Sequence, residues 1–412
     1  WSGRHPAEVN PTAVAHILSL VEFQMSALLF VALAGYLAAS LVNQSVVIGE
    51  ILVGLLMGPS VLGIITYTDF VGSIAHLGAI ILLFVVGLEF RLEDIAKPWY
   101  LLIAACGVVV PWVMGYLVSL AFGFPFGSAV FIGTALTATS IAITANVLKE
   151  MGRLGSGPGR AIIGAAVIDD VLSLLALGVG NGLVTGDLSV GALAIVLAKA
   201  LAFLGVGAAL GHFGLRRLLI VIDGSRFTRR HPEVTFIFAT MLAFLYAVGA
   251  ELMGLSAIVG AFIAGASLAG VKLANGRDLY KGSESLMIIF SSVFFVSLGV
   301  LADVRTIDTR LLVFTLVLTV VAFVSKLIGC GGVALLRRRG PHDGPRDRLR
   351  DATVIGVGMA PRGEVAMIVA LIGLDKGIIG QEVYVSIILM SLLTTIVAPI
   401  LLKGLLARRT QT

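Results

Sequence analysis

Runs of roughly 20 apolar residues recur along the whole chain, and polar residues are confined to short gaps between them. Thirteen such runs lie near 13–42, 46–66, 71–90, 99–122, 128–148, 159–183, 190–215, 234–252, 254–271, 284–302, 311–336, 352–374 and 383–406. At about 1.5 Å rise per residue, a helix of that length matches the roughly 30 Å hydrocarbon core of a bilayer. Each run therefore predicts a membrane-crossing helix. The longest polar stretches, around Arg216–Pro232 and Arg337–Asp351, have the length of ordinary loops, and no soluble domain fits between the spans. Composition agrees: the 412 residues are 58% hydrophobic and 13% charged, where soluble domains carry about 25% charged residues.

The formal net charge of +5 could be read as a nucleic-acid signal, but its distribution assigns it to topology. With thirteen spans and an outer N-terminus, the inner loops hold 22 of the 29 Lys and Arg residues. The outer segments hold Arg4, Arg305, Arg310 and Lys376, while Lys199, Lys326 and Arg362 fall inside spans. The positive-inside rule then places the N-terminus outside and the C-terminus in the cytoplasm, in a multi-pass protein of the cell's inner membrane. Nothing in the pattern calls for a nucleic-acid partner. Cys106 and Cys330 lie in apolar spans, where a thiol behaves as a small hydrophobe, and the six histidines are scattered without metal-ligand spacing. No cofactor and no resident metal cluster is expected. The chain begins at Trp1 rather than Met, which points to a segment preceding it.

The first and last thirds of the chain resemble each other. LLFVVGLEFRLEDI (82–95) aligns with VFFVSLGVLADVRTI (293–307), setting Gly87 against Gly299; FIGTALTATSIAITANVL (131–148) aligns with VIGVGMAPRGEVAMIVAL (354–371), setting Gly133 against Gly356. Helices 1–6 then form one repeat and helices 8–13 the other, with helix 7 as linker. Seven spans separate equivalent helices, so the copies cross the membrane in opposite directions. Such inverted repeats are a transporter architecture with the site near the midplane. The second matched pair is interrupted in both copies, by Thr137-Ala138-Thr139-Ser140 and by Ala360-Pro361-Arg362-Gly363-Glu364. Pro removes a backbone donor and Gly weakens the helix, so both helices are expected to break midway. Lipid cannot satisfy the freed backbone groups, and the breaks must line a cavity or pack within protein.

The charges at membrane depth are the candidate chemistry. Asp169 and Asp170 sit near the centre of the 159–183 run, and Lys326 lies at a similar depth in 311–336. A carboxylate there costs roughly 2.5–3.5 kcal/mol even on the lenient insertion scale. Lys326 can neutralise one aspartate, and adjacent residues point about 100° apart on a helix, which leaves the other for a proton or a small cation. Na⁺ and Li⁺ prefer hard oxygen ligands, and the hydroxyls of Thr137, Thr139 and Ser140 and the carbonyls freed by the break could join the carboxylate. Arg362 and Glu364, with Pro361, are read as supports of the broken helices, offsetting exposed dipoles. Glu50, Glu89 and Glu251 lie nearer span ends and are expected to be solvated or hydrogen-bonded; Gln24 and Asn146 are expected to bond between helices.

AAVIDDVLSLL, the preceding TALTATSIAITANVL, GVGMAPRGEVAMIVA, VVIGEILVGLLMGPSVLG and the VSKLIG lysine together resemble bacterial sodium/proton antiporters of the NapA type, in the second group of the monovalent cation/proton antiporter superfamily. The resemblance runs from about residue 20 to 407. It implies an all-α membrane protein of about thirteen transmembrane helices, two inverted repeats with crossed discontinuous helices (the NhaA/NapA-like antiporter fold), working as a homodimer. It implies a dimerisation or scaffold domain at 13–91 and 190–302, including the linker helix, and an ion-binding core at 99–183 and 308–407. By position, Asp170 would bind Na⁺ and the proton, and Asp169 would partner Lys326, itself a candidate proton carrier. The family moves its core like an elevator against the dimer domain. Kef-type potassium systems have Gln in place of the first aspartate and a C-terminal nucleotide-binding domain; Asp169, and a sequence ending at Thr412, give the expectation of a system without it. Asp169 with Lys326 implies electrogenic exchange of Na⁺ or Li⁺ for H⁺, serving pH homeostasis.

Three rivals remain. Selectivity for K⁺ in place of Na⁺ depends on cavity geometry. A sodium-coupled solute symporter needs a wider cavity lined by polar and aromatic side chains, where the segments here are small and aliphatic. A cation channel needs a continuous pore, which a midplane Lys–Asp pair would obstruct. An enzyme is not expected: no nucleophile–base set or phosphate loop is visible, and GVGMAPRG interrupts a membrane helix where a phosphate loop would follow a strand.

Overall fold

The computed structural model describes residues 20–42, 44–90, 97–186, 189–274, 279–302, 305, 308–336 and 345–407. Residues 13–19 of the first expected span, the basic positions Arg4, Arg91, Arg277, Arg337, Arg338, Arg339, Arg408 and Arg409, and the side chain of Glu364 lie outside them. Every regular element among the described residues is a helix. The first six are α1 Val21–Leu41, α2 Val46–Met57, α3 Asp69–Leu88, α4 Pro98–Ala121, α5 Phe126–Ala135 and α6 Ile141–Glu150. Then follow α7 Gly157–Thr185, α8 Val190–Asp223, α9 Glu233–Leu252, α10 Ala257–Leu268 and α11 Leu279–Leu301. The last are α12 Thr309–Leu336, α13 Pro345–Gly358, α14 Glu364–Asp375 and α15 Gln381–Ala407. Among the described residues, nine helices are long and apolar enough to cross a membrane. α8 and α12 contain π-helical turns, at Phe203–Gly207, Leu210–Leu215 and Leu327–Gly331.

Helix starts follow local chemistry. The side chains of Thr68, Ser156, Ser189, Ser256 and Asp308 each accept a hydrogen bond from an N–H in the first turn of the helix that follows, which removes one of its unpaired donors. Two expected spans are shorter as helices than as apolar runs. The run at 46–66 is helical only to Met57, because Pro59 disfavours helical backbone at Gly58 and cannot donate. The run at 254–271 is helical from Ala257 to Leu268, between Gly254 and Gly270, whose φ values of 83° and 70° suit only glycine readily.

α3 packs against α10 and α11, α2 against α1 and α11, and α9 against α10. A second set packs α4 against α5, α7 and α12, and α15 against α12 and α14. Some contacts are backbone to backbone. A Cβ on Gly265 would lie 2.1 Å from the Phe84 carbonyl oxygen, so α10 reaches α3 only because that side chain is absent.

The two interrupted segments meet. α5 and α6 are separated by 136–140, and α13 and α14 by 359–363. The Ser140 N–H donates to the Pro361 carbonyl at 2.8 Å. The Thr139 hydroxyl donates to the Met359 carbonyl at 3.2 Å and the Thr144 hydroxyl to the Gly358 carbonyl at 2.6 Å. A Cβ on Gly363 would lie 2.6 Å from Ser140 Oγ, so glycine lets the two breaks touch. Each break thus supplies part of what the other lacks, which is how irregular backbone survives at membrane depth.

Candidate functional site

The carbonyls of the first break are met by cations. Lys326 lies at the end of the α-helical part of α12, just before its π turn, and is fully buried. Its ammonium donates to the Thr137 carbonyl at 2.9 Å and to Asp169 Oδ1 at 3.0 Å. Arg362, equally buried, donates from Nη1 to the Ala138 carbonyl at 2.6 Å and from Nη2 to the Ala322 carbonyl at 3.3 Å. Its own backbone is held by α15: the N–H donates to the Thr394 hydroxyl, and the carbonyl accepts from Thr395. Positive charge at carbonyls left unpaired beyond the end of α5 is the favourable sign for a helix C-terminus. α4 closes over the pair at Gly107, where a Cβ would lie 3.5 Å from Lys326 Nζ and 2.5 Å from Cys330 Sγ. Both cysteines are free thiols.

Asp169 and Asp170 are neighbours on α7 with different surroundings. Asp169 is fully buried, with Oδ1 on Lys326 and Oδ2 without a hydrogen-bond partner among the described residues. Asp170 is 7% exposed and borders two cavities. The smaller, about 20 Å³, is lined by Thr139, Ser140, Ser256 and Gly363 as well, and has room for roughly one water-sized occupant. The larger, about 310 Å³, rises between α3, α7, α14 and the α9–α10 turn, and also contains Ser173, His76 and Glu251. The Ser256 N–H, at the start of α10, lies 3.4 Å from Asp170 Oδ2, the end of a helix that favours negative charge.

The sequence-predicted residues divide accordingly. Asp170, Thr139 and Ser140 come together at the small cavity. Thr137 does not join them. Its hydroxyl donates to the Thr134 carbonyl at 2.7 Å, and its own carbonyl serves Lys326. The physical reason is that Thr137 lies two residues past the end of α5, where its hydroxyl folds back onto the last turn. Pro361 contributes its carbonyl to the crossing and Arg362 its guanidinium, whereas the Glu364 side chain lies outside the described residues. Glu50 is buried and not solvated: it is 2% exposed, its Oε1 has no hydrogen-bond partner among the described residues, and its carboxylate is hydrogen-bonded to Ser292. Asn146 bonds within α6, to Glu150 at 3.1 Å, while Gln24 does bond between helices, accepting from Thr68 at 2.9 Å. Ser256, Ser173 and His76 were not singled out from the sequence. Only Ser256 carries a local signal, a serine at the start of an apolar run.

The arrangement can bind a small hard cation or a proton on a carboxylate beside hydroxyls, next to a carboxylate already neutralised by a lysine. Comparison with known proteins gives the family. The family model described as sodium/hydrogen exchanger, transmembrane, matches residues 27–408. The chain is 33% identical over 380 residues to the Na⁺/H⁺-K⁺ antiporter GerN of Bacillus cereus, covering 91% of this chain and 93% of that protein. It is 34% identical over 343 residues to the high-affinity Na⁺/H⁺ antiporter NhaS3 of a Synechocystis species, covering 81% and 70% respectively. In three dimensions it is similar to the sodium proton antiporter MjNhaP1 of Methanocaldococcus jannaschii, with a TM-score of 0.64 at 16% identity over 94% of this chain and 98% of that one. The chain is therefore a multi-pass membrane protein of the sodium/hydrogen exchanger family, a family of antiporters and not of enzymes.

Proposed function

We propose that this chain exchanges Na⁺ or Li⁺ for H⁺ at Asp170. The observation that carries the reading is the asymmetry of the two aspartates: Asp169 is neutralised by Lys326 in a dry contact, while Asp170 borders both cavities with Thr139, Ser140 and Ser256 beside it. One carboxylate that takes either H⁺ or a metal cation couples the two flows. An unloaded core would carry a bare charge through the membrane, which is costly, so the loaded forms are the ones that move.

The finer reading follows from the same geometry. Among the described residues, and leaving aside the five-residue helix Arg226–Arg230, taking each interrupted pair, α5–α6 and α13–α14, as one span supports thirteen spans, and the matched interruptions support inverted repeats. The two packing sets support a scaffold at 13–91 and 190–302 and a moving core at 99–183 and 308–407. With the N-terminus outside and the C-terminus in the cytoplasm of the inner membrane, the 310 Å³ cavity faces outward. The opposite end is then closed where Glu150 of α6 accepts from Ser45, ahead of α2, at 2.7 Å. That contact joins core to scaffold and has to break in an elevator movement. The scaffold is the surface for a homodimer, in contact with membrane lipid. The Asp169–Lys326 pair supports electrogenic exchange and a place in pH homeostasis.

The test is proton flux in proteoliposomes on adding Na⁺, Li⁺ or K⁺, with the membrane potential free or clamped. Asp170→Asn is expected to abolish exchange; wild-type exchange by that variant overturns the assignment. K⁺ exchange is the second reading, favoured by the name of GerN. A response to K⁺ alone, insensitive to potential, would establish it and leave the Asp169–Lys326 pair a structural one.

A further inference from the structure

The large cavity holds more oxygen chemistry than Asp170 alone requires. Ser173 lines it, is 1% exposed, and its hydroxyl has no hydrogen-bond partner among the described residues. Some buried helical serines donate to the carbonyl one turn back, as Ser119 does to Gly115 and Ser267 to Ile263, while Ser283, Ser386 and Ser391 do not. Ser173 makes no such bond, and an unmade hydrogen bond on a buried hydroxyl is costly unless something visits it. It lies three residues after Asp170, so it shares the same helix face about 4.5 Å further along. At the mouth, Glu251 of α9 meets His76 of α3, Nε2 to Oε1 at 3.4 Å, with side chains 54% and 46% exposed. Both also line the cavity. A solvent-exposed contact of this kind holds only weakly, so an arriving cation can displace His76 from Glu251.

Size separates this place from the one below it. At roughly 30 Å³ per water, a cavity of about 310 Å³ accommodates a cation with most of its hydration shell. The 20 Å³ space beside Asp170 does not. The upper walls are otherwise apolar, with Leu174, Leu177, Ile368 and Val369, and low-dielectric walls concentrate the field of the few charges present.

We propose that Glu251 and Ser173 form a second, transient site for a partly hydrated monovalent cation, Na⁺ or Li⁺, through which the ion reaches or leaves Asp170, with His76 holding Glu251 when the ion is absent. The proposal rests on the exchange reading above. Its consequence is one-sided: the site serves the face to which the cavity opens and has no part in loading from the other.

The experiment is Na⁺-driven proton flux in proteoliposomes of uniform protein orientation, with Na⁺ varied on one face at a time. Glu251→Gln is expected to raise the half-saturating Na⁺ concentration about threefold on the cavity face, as removal of one partly screened charge does, and the difference is expected to shrink at high ionic strength. Ser173→Ala is expected to raise it about threefold on the same face. His76→Gln is expected to leave it unchanged or lower it, because Glu251 is then free. Equal shifts on both faces, shifts of the same sign in Glu251→Gln and His76→Gln, or no shift in Glu251→Gln would overturn the site. Asp170→Asn in the same preparation keeps the two readings apart. Continued exchange there refutes the Asp170 assignment; loss of exchange there, with an unshifted Glu251→Gln, refutes the outer site alone.

Discussion

The Lys326–Asp169 pair makes a prediction whose sign is unusual: removing both partners should harm the fold less than removing either. Lys326 spends its ammonium on two acceptors, Asp169 Oδ1 at 3.0 Å and the Thr137 carbonyl at 2.9 Å, and neither Lys326 nor Asp169 touches solvent. Lys326→Met leaves a buried carboxylate without its counter-charge, a loss of about 3–5 kcal/mol, and Asp169→Asn leaves a buried ammonium at comparable cost. The double variant removes both charges of the pair together and leaves the buried Arg362 guanidinium as it was. It leaves the Thr137 carbonyl short of one donor, worth about 1–3 kcal/mol, with Arg362 Nη1 already 3.5 Å from the same oxygen. The assay is thermal unfolding of purified protein in detergent, followed by loss of monodispersity across temperature, for the four members of the cycle. The double variant is expected to melt above both single variants. The Lys326→Met penalty should also shrink as the medium is acidified, because a protonated Asp169 carries no charge to bury. A double variant that melts at the sum of the single losses would refute the reasoning, since the two groups would then be independent.

Two further outcomes are expected. Arg362→Lys keeps the charge but loses the planar fork that reaches Ala138 on one side and Ala322 on the other; a loss of about 1–3 kcal/mol in stability, with slower exchange, is the expected result of melting and flux measurements. Gly265→Ala places a methyl group 2.1 Å from the Phe84 carbonyl oxygen, so α3 and α10 must separate. An overpacking loss of about 1–3 kcal/mol is expected in the same melting assay, while Gly205→Ala, on α8 with open space around it, should melt as the wild type does.

What could be read from the sequence was what a bilayer makes expensive. A run of twenty apolar residues has few fates, so the spans were legible; a Pro-Arg-Gly-Glu or Thr-Ala-Thr-Ser inside such a run has few explanations, so the interruptions were legible too. Helix ends set by close packing were less so. Apolar residues continue past Met57 to residue 66, and hydropathy alone cannot show that Pro59 stops α2. The π turns leave no periodic mark, although one of them begins at Leu327, directly after Lys326. The burial of Glu50 is hidden for a related reason: it is only the fifth residue of α2, where a carboxylate is usually wet, yet α1 comes so close that a Cβ on Gly35 would lie 2.6 Å from the Glu50 Cα.

The candidate site was legible in its charges and not in its partition of oxygen atoms. Thr137, Thr139 and Ser140 look equivalent as letters, three hydroxyls in four residues. Their roles differ because the chain turns between them. Thr137 still belongs to the end of α5, and its hydroxyl folds back on that helix; Thr139 and Ser140 belong to the crossing and face the other break. The same turn presents the Thr137 and Ala138 carbonyls to Lys326 and Arg362, so both buried cations are engaged by backbone before either meets a carboxylate. The other hydrogen bond that Lys326 makes goes to Asp169. Nothing among the described cations bonds to Asp170, which accepts from the Ser256 amide at 3.4 Å. A carboxylate left that way at a cavity is the group an ion can compete for. The crossing creates it by consuming the cations that would otherwise neutralise it.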